Sequence, residues 1–204
     1  MDVTQTSSSA TDLLKAETRA LHEAVERTPL AMAMARGTLS EDAYALQLQV
    51  WRILWLPLEI LAPRLAPVWQ PWMIKSEILG DDLAEVGGPR PVTDELAAVL
   101  AKRFPLGRAS LFGRLYVLEG STMGGAFLGP RLAAALSLPP TRTRYHGVYG
   151  KRLRARWMQT RDALDRAISP WEIGEAVDGA RRTFEQVGEA FSAITVERSG
   201  ENRQ

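Results

Sequence analysis

The chain has 204 residues, 46% of them apolar and 24% charged, with 25 Lys+Arg against 24 Asp+Glu. That length suits one domain with a sizeable core, and the near-cancellation of charge removes any bulk electrostatic case for nucleic-acid binding. The lack of cysteine excludes disulfides, thiolate metal sites and a cysteine nucleophile, and no uninterrupted apolar run reaches the ~20 residues of a membrane span.

Residues 1–10 are polar and Ser/Thr-rich, without the apolar centre of a signal peptide. They read as a disordered lead-in to a cytoplasmic protein, with residues 11–196 as one helical domain and 197–204 as a disordered tail. Ser9 or Thr11 caps a first helix, in which Leu14, Thr18, Leu21 and Val25 recur at helical spacing and which ends before Pro29. A second, long helix begins near Ser40 and carries Tyr44, Leu48, Trp51, Trp55, Leu58 and Leu61, with a kink expected at Pro57. The helical spacing of its tryptophans predicts core packing. A shorter helix over Lys75 to Val86 is closed by Gly87-Gly88-Pro89, and Thr93 caps another that runs to Leu100. The apolar run Leu111 to Leu138 predicts a long helix. After the Pro139-Pro140 break, Thr141 to Gly150 is loop, with His146 at the surface and without a function. A helix spans Lys151 to Ile168, and Ser169-Pro170 opens the last one, whose inward face is Ala176, Ala180, Phe184, Val187 and Phe191. No strand alternation and no internal repeat occurs, so the fold class is all-α.

Two features carry chemistry. Gly120, Gly124 and Gly125 fall within six residues of a helix, where each costs about 1 kcal/mol relative to alanine. Such a run needs a reason: the backbone approaches either another helix or a flat ligand. The second feature is His22, which shares a helix face with Lys15 two turns earlier and Glu26 one turn later. A carboxylate on one imidazole nitrogen fixes the tautomer and leaves the other free for a metal. One histidine without cysteine is a poor zinc site, but it suffices as an axial ligand to haem iron, whose porphyrin supplies four nitrogens.

On the segments Leu14-Lys15-Ala16-Glu17-Thr18-Arg19-Ala20-Leu21-His22-Glu23-Ala24-Val25-Glu26 and Tyr116-Val117-Leu118-Glu119-Gly120-Ser121-Thr122-Met123-Gly124-Gly125, with Ala180 to Phe191 as a weaker third, the chain resembles bacterial, biliverdin-producing haem oxygenases. The resemblance implies an all-α fold that holds haem, as both substrate and cofactor, between the first helix and a kinked, glycine-rich distal helix. It implies His22 as the axial ligand, Glu26 as its orienting partner and Lys15 as a propionate contact. Gly120 and Gly124 become the distal glycines, with Gly125 beside them in the distal wall; Phe184 and Phe191 fall on aromatic positions near the pocket, and Tyr116 is a candidate there as the neighbour of Leu115. Among the arginines of the penultimate helix it favours Arg156 and Arg161 for the propionates. Ser121 stands where animal members place an aspartate that organises proton delivery, and Leu115 where they place a tyrosine. The implied reaction takes electrons from a ferredoxin or flavoprotein reductase and yields biliverdin, carbon monoxide and ferrous iron; a bilin-using photoreceptor is an expected downstream partner. The uncharged Ser121 keeps a non-catalytic haem carrier or sensor as the alternative, and a ligand-free helical scaffold is the third reading.

Overall fold

A computed structural model of the chain describes residues 8–139 and 142–196; the expected lead-in up to residue 7 and the tail from 197 lie outside them. Eight α-helices and a few short 3-10 turns make up the described residues, which contain no strand. Helix α1 (Ala10–Glu26) is capped by the Ser9 hydroxyl, which accepts from the Asp12 amide at 3.2 Å. Helix α2 (Pro29–Arg36) escapes a reading that takes Pro29 only as a stop. Thr28 caps it by accepting from Ala31 N, Pro29 occupies its first turn, and Gly37 ends it at φ 68°. Proline ends one helix and begins the next because the first turn needs no N–H from it.

Helix α3 (Glu41–Ile60) follows its Ser40 cap and contains Pro57. Helix α4 (Ser76–Glu85) closes on Gly87 and Gly88, both at positive φ, where the Gly88 amide reaches the Leu83 carbonyl at 2.9 Å. Helix α5 (Asp94–Leu100) takes its cap from Thr93. Helix α6 (Arg108–Ala135) remains helical through its glycines and Pro130. Helix α7 spans Leu153–Ala167 and α8 spans Ile173–Ala193. The last helix begins later than the Ser169-Pro170 signal implies. The Ser169 hydroxyl donates to the Glu172 carboxylate, which also accepts from Ser169 N, so this serine closes a turn instead of capping a helix.

Helix α8 is the hub, packing along both α6 and α1. Its crossing with α6 is backbone on backbone. A Cβ on Gly113 would stand 1.9 Å from the Ala176 carbonyl oxygen, and one on Gly179 would stand 2.2 Å from that of Ser110. Alanines 176 and 180 fill the rest of the seam, both fully buried. Farther along α6 this close contact gives way to a cavity bounded by α1, α6 and α8.

Behind α6 lies a buried ion pair. Lys75 and Glu119 have side chains with no solvent exposure and a 3.2 Å separation. The ammonium also donates to the Trp72 carbonyl (2.9 Å) and to the Tyr149 hydroxyl (2.7 Å), which itself donates to Glu119 (2.8 Å). Burial pushes the Glu119 carboxyl up and the Lys75 ammonium down, each opposed by the other's charge. Removing one partner of such a pair strands the other. Lys75→Met should therefore lower stability by about 3–5 kcal/mol in urea unfolding, and Lys75→Met/Glu119→Gln should recover at least half of that loss.

Candidate functional site

The cavity has a volume of about 530 Å³. One wall is the α1 stripe predicted from spacing: Lys15, His22 and Glu26 all line it. His22 Nδ1 lies 3.7 Å from Glu26 Oε1, beyond hydrogen-bond range but near enough to bias which nitrogen stays free. Phe184 of α8 meets the His22 ring edge to face, with centroids 5.6 Å apart. Edge-to-face packing holds an imidazole orientation without consuming either nitrogen. Lys15 makes no ion pair or hydrogen bond with any described residue, so a free cation stands two turns from the imidazole.

Another wall is α6. Its glycines divide by what they face. At Gly124 an added Cβ would meet nothing within 4 Å, so the backbone opens directly onto the cavity. At Gly120 it would come 3.3 Å from the Trp157 ring, which shares the wall. At Gly125 and Gly129 it would come 3.3 and 3.1 Å from His146. The choice between helix packing and ligand approach thus resolves position by position: helix packing belongs to Gly113 and Gly179, and the open surface to Gly124. Ser121 also lines the cavity, and its hydroxyl donates to the Leu118 carbonyl at 2.7 Å. Tyr116 lines it too, with its ring 5.4 Å from that of Trp157, and burial raises its phenol pKa.

The two candidate arginines part company. Arg161 is in the wall, held to the start of α1 by bonds to Thr11 Oγ1 (3.0 Å) and Asp12 Oδ1 (2.8 Å). Arg156 does not line the cavity; its guanidinium stacks 3.6 Å from the centre of the Trp72 ring. The helical phase explains this: five residues along α7 is about 140° from Arg161.

His146 departs most from expectation. Far from lying at the surface, it is 3% exposed and lines the cavity. It sits in a 3-10 turn, Tyr145–Gly147, pressed against the Gly125 and Gly129 backbone and flanked by the rings of Tyr44 and Tyr145. Neither ring nitrogen has a hydrogen-bond partner, nor does either side-chain polar atom of Gln47, which is fully buried in the same wall. Nothing periodic marks a histidine in a loop. Gln47 was readable, as a lone carboxamide between Tyr44 and Trp51 on the apolar face of α3. Trp51 is a wall residue as well as a core one.

Burial lowers the His146 imidazole to about 4. An unfolded histidine titrates near 6.5, so the unfolded chain gains this proton first as pH falls. The residue's full contribution to stability is present above about pH 6.5 and drains away toward pH 4, by about 3 kcal/mol. Unfolding by urea at pH 7 and pH 4.5 should show this slope, and His146→Leu should remove it, which separates its share from that of the buried carboxylates.

Among the described residues, no group of three His, Asp or Glu side chains is placed to hold a bare metal ion. A single imidazole in a cavity that an open glycine backbone also lines instead suits a metal that arrives with four equatorial donors. The cavity's uncovered backbone at Gly124 and the cations Lys15 and Arg161 fit a flat, anionic macrocycle.

Comparison with known proteins agrees. The family model described as heme oxygenase matches residues 8–193. Among solved structures, the chain is similar to a haem oxygenase from Leptospira interrogans, at 21% identity and a TM-score of 0.76, over 91% of this chain and 99% of that one. It is also similar to haem oxygenase-1 from Synechocystis in complex with haem, at 16% identity and a TM-score of 0.74, over 90% and 91% of the two chains. A Neisseria meningitidis haem oxygenase in NO- and CO-bound forms matches at 22% identity and a TM-score of 0.65, over 97% and 99%. At these identities the likeness is one of fold. No curated protein sequence matches the chain.

Proposed function

The chain belongs to the haem oxygenase family, an enzyme family that degrades haem, and from that premise we propose that it opens haem with dioxygen and reducing equivalents to biliverdin, carbon monoxide and ferrous iron. The observation that carries the reading is that His22, with Phe184 edge-on to its ring, and the bare α6 backbone at Gly124 line one cavity. Haem supplies the redox-active iron and is itself the substrate.

The protein's own tasks follow from the walls. His22 offers the imidazole nitrogen not turned toward Glu26. A neutral imidazole would donate less electron density to iron than a thiolate, and so would not favour heterolytic cleavage of the oxygen–oxygen bond. Gly124 lets the opposite face approach main chain, so a small ligand there is confined by backbone and not by side chains. Lys15, unpaired among the described residues, and Arg161, pinned by Thr11 and Asp12, would supply positive charge for the propionates and so fix the ring's rotation. That rotation selects which bridge carbon is attacked. A ferredoxin or flavoprotein reductase is the proposed electron donor and the cytoplasm the proposed compartment; no helix among the described residues is long and apolar enough to cross a membrane.

The test is direct. Purified protein mixed with haemin, a reductant and air should convert the Soret band into a bilin spectrum. A stable Soret band that never decays would instead support the carrier or sensor, and no haemin uptake would support the scaffold.

A further inference from the structure

Helix α7 stands between two cavities that share no lining residue. Trp157 and Arg161 line the first, while Thr160, Ala163, Arg166 and Ala167 line the second, on a roughly opposite face at 100° per residue. Across the second cavity runs the segment 67–73, whose Val68 and Met73 are fully buried, and the start of α6 adds Arg108. The threonine and the alanines of α7 are too short to close the gap to that segment. The space left is about 530 Å³, equal to the first cavity and large enough for a small organic molecule.

Its polar groups are not spent on one another. Arg166 makes no ion pair or hydrogen bond with any described residue. Arg108 is held in place but keeps most of its five donors. Its guanidinium lies 4.6 Å from the centre of the Phe112 ring and donates to the Ala66 carbonyl at 3.4 Å, while Glu172 stands 3.8 Å away, beyond hydrogen-bond range. Asp162 is the one carboxylate in the lining, exposed and unpaired among the described residues, so two cations face one anion. Three side chains carry buried polar atoms without partners. Gln47 and His146 line the first cavity, and Trp72, whose indole N–H lacks an acceptor, lines the second.

We propose that this second cavity binds an apolar acid, with the carboxylate between Arg108 and Arg166 and the hydrocarbon body on Val68, Met73 and Ala163. Both halves of the ligand follow from the lining. An inorganic anion would leave the apolar floor uncovered, and an uncharged apolar molecule would leave the Arg166 guanidinium unanswered. A carboxylate matches the planar fork of arginine and makes charge-assisted hydrogen bonds with it. Two sources share this chemistry: a fatty acid, and the bilin that the reaction proposed above would release. Only the bilin depends on the haem reading; the site does not.

Calorimetric titration of laurate and, separately, of biliverdin into haemin-saturated protein tests this, since haemin then fills the first cavity. A single equivalent should bind without change in the Soret band. Arg166→Gln should weaken binding about fivefold or more, and Asp162→Asn, which removes the one repelling charge, should tighten it about two- to threefold. Lauramide, which keeps the chain and loses the charge, should bind about tenfold more weakly than laurate. The tighter of the two acids identifies the source. No saturable uptake of either acid, equal affinity in the parent and both charge variants, or displacement of haemin in step with binding would overturn the proposal and leave the haem reading standing. If the chain takes up no haemin, the haem reading falls. Laurate titrated into the haem-free parent and Arg166→Gln proteins then still decides the second site, because Arg166 lines that cavity and not the first.

Discussion

Gly179→Val is expected to cost more than about 3 kcal/mol, a large part of the 5–15 kcal/mol that typically separates folded from unfolded chains. A Cβ at this position would lie 2.2 Å from the Ser110 carbonyl oxygen and 2.7 Å from its Cα. These are main-chain atoms inside α6, so no rotamer change can relieve the clash; the helices must move apart. Separation would undo the neighbouring Gly113–Ala176 contact and the seam lined by Ala176 and Ala180. Even Gly179→Ala should destabilise, although alanine improves helix propensity by about 1 kcal/mol. Denaturant unfolding at fixed pH gives the number. Gly124→Leu is the counterpart, because its Cβ would meet nothing within 4 Å. It should leave the unfolding midpoint within about 0.5 kcal/mol of the parent, or raise it, while blocking haemin uptake. Equal destabilisation by both variants would mean that the Gly124 side is packed after all, and the open backbone wall would be lost.

These two substitutions also show where the sequence is informative. Chain order, caps and apolar period locate seven of the eight helices, and Ser9, Ser40 and Thr93 bond where capping chemistry places them. The α1 stripe of Lys15, His22 and Glu26 follows from helical geometry alone, because i, i+7 and i+11 share a face. Other features depend on tertiary distance, which spacing does not encode. The clustered glycines of α6 attract notice, yet the two that join α6 to α8 stand apart, at Gly113 and Gly179, and nothing local distinguishes them. Arg156 and Arg161 look equivalent along the chain, but helical phase turns one toward Trp72 and the other into the cavity. His146 reads as surface because loops usually are; here the turn is drawn inward by Asp82 and received by bare glycine backbone. The buried Lys75 is the same lesson with a charge, since lysine is almost never fully buried unless paired and its partner Glu119 is 44 positions away.

His22→Ala is expected to abolish ring opening while leaving the fold intact. The side chain is 56% exposed within the open cavity, and its named contacts are the Phe184 ring edge and the distant Glu26 carboxylate. Deleting it should therefore change stability by less than about 1 kcal/mol. The chemical loss is far larger. Losing even an outer partner of a metal ligand typically costs 10- to 100-fold, so loss of the ligand itself should exceed about 100-fold. Glu26→Gln should fall within the smaller range, because it alters only what steadies the imidazole. The two effects separate in the spectrum: the alanine variant should lose the histidine-ligated Soret position, and the glutamine variant should keep it. Because the vacated space opens on a solvent-accessible cavity, added imidazole should enter, restore the band and return part of the turnover. A purely structural histidine would not respond in this way. Unimpaired biliverdin formation by His22→Ala would dismiss the axial-ligand assignment, and with it the reason the bare stretch of α6 lies where it does.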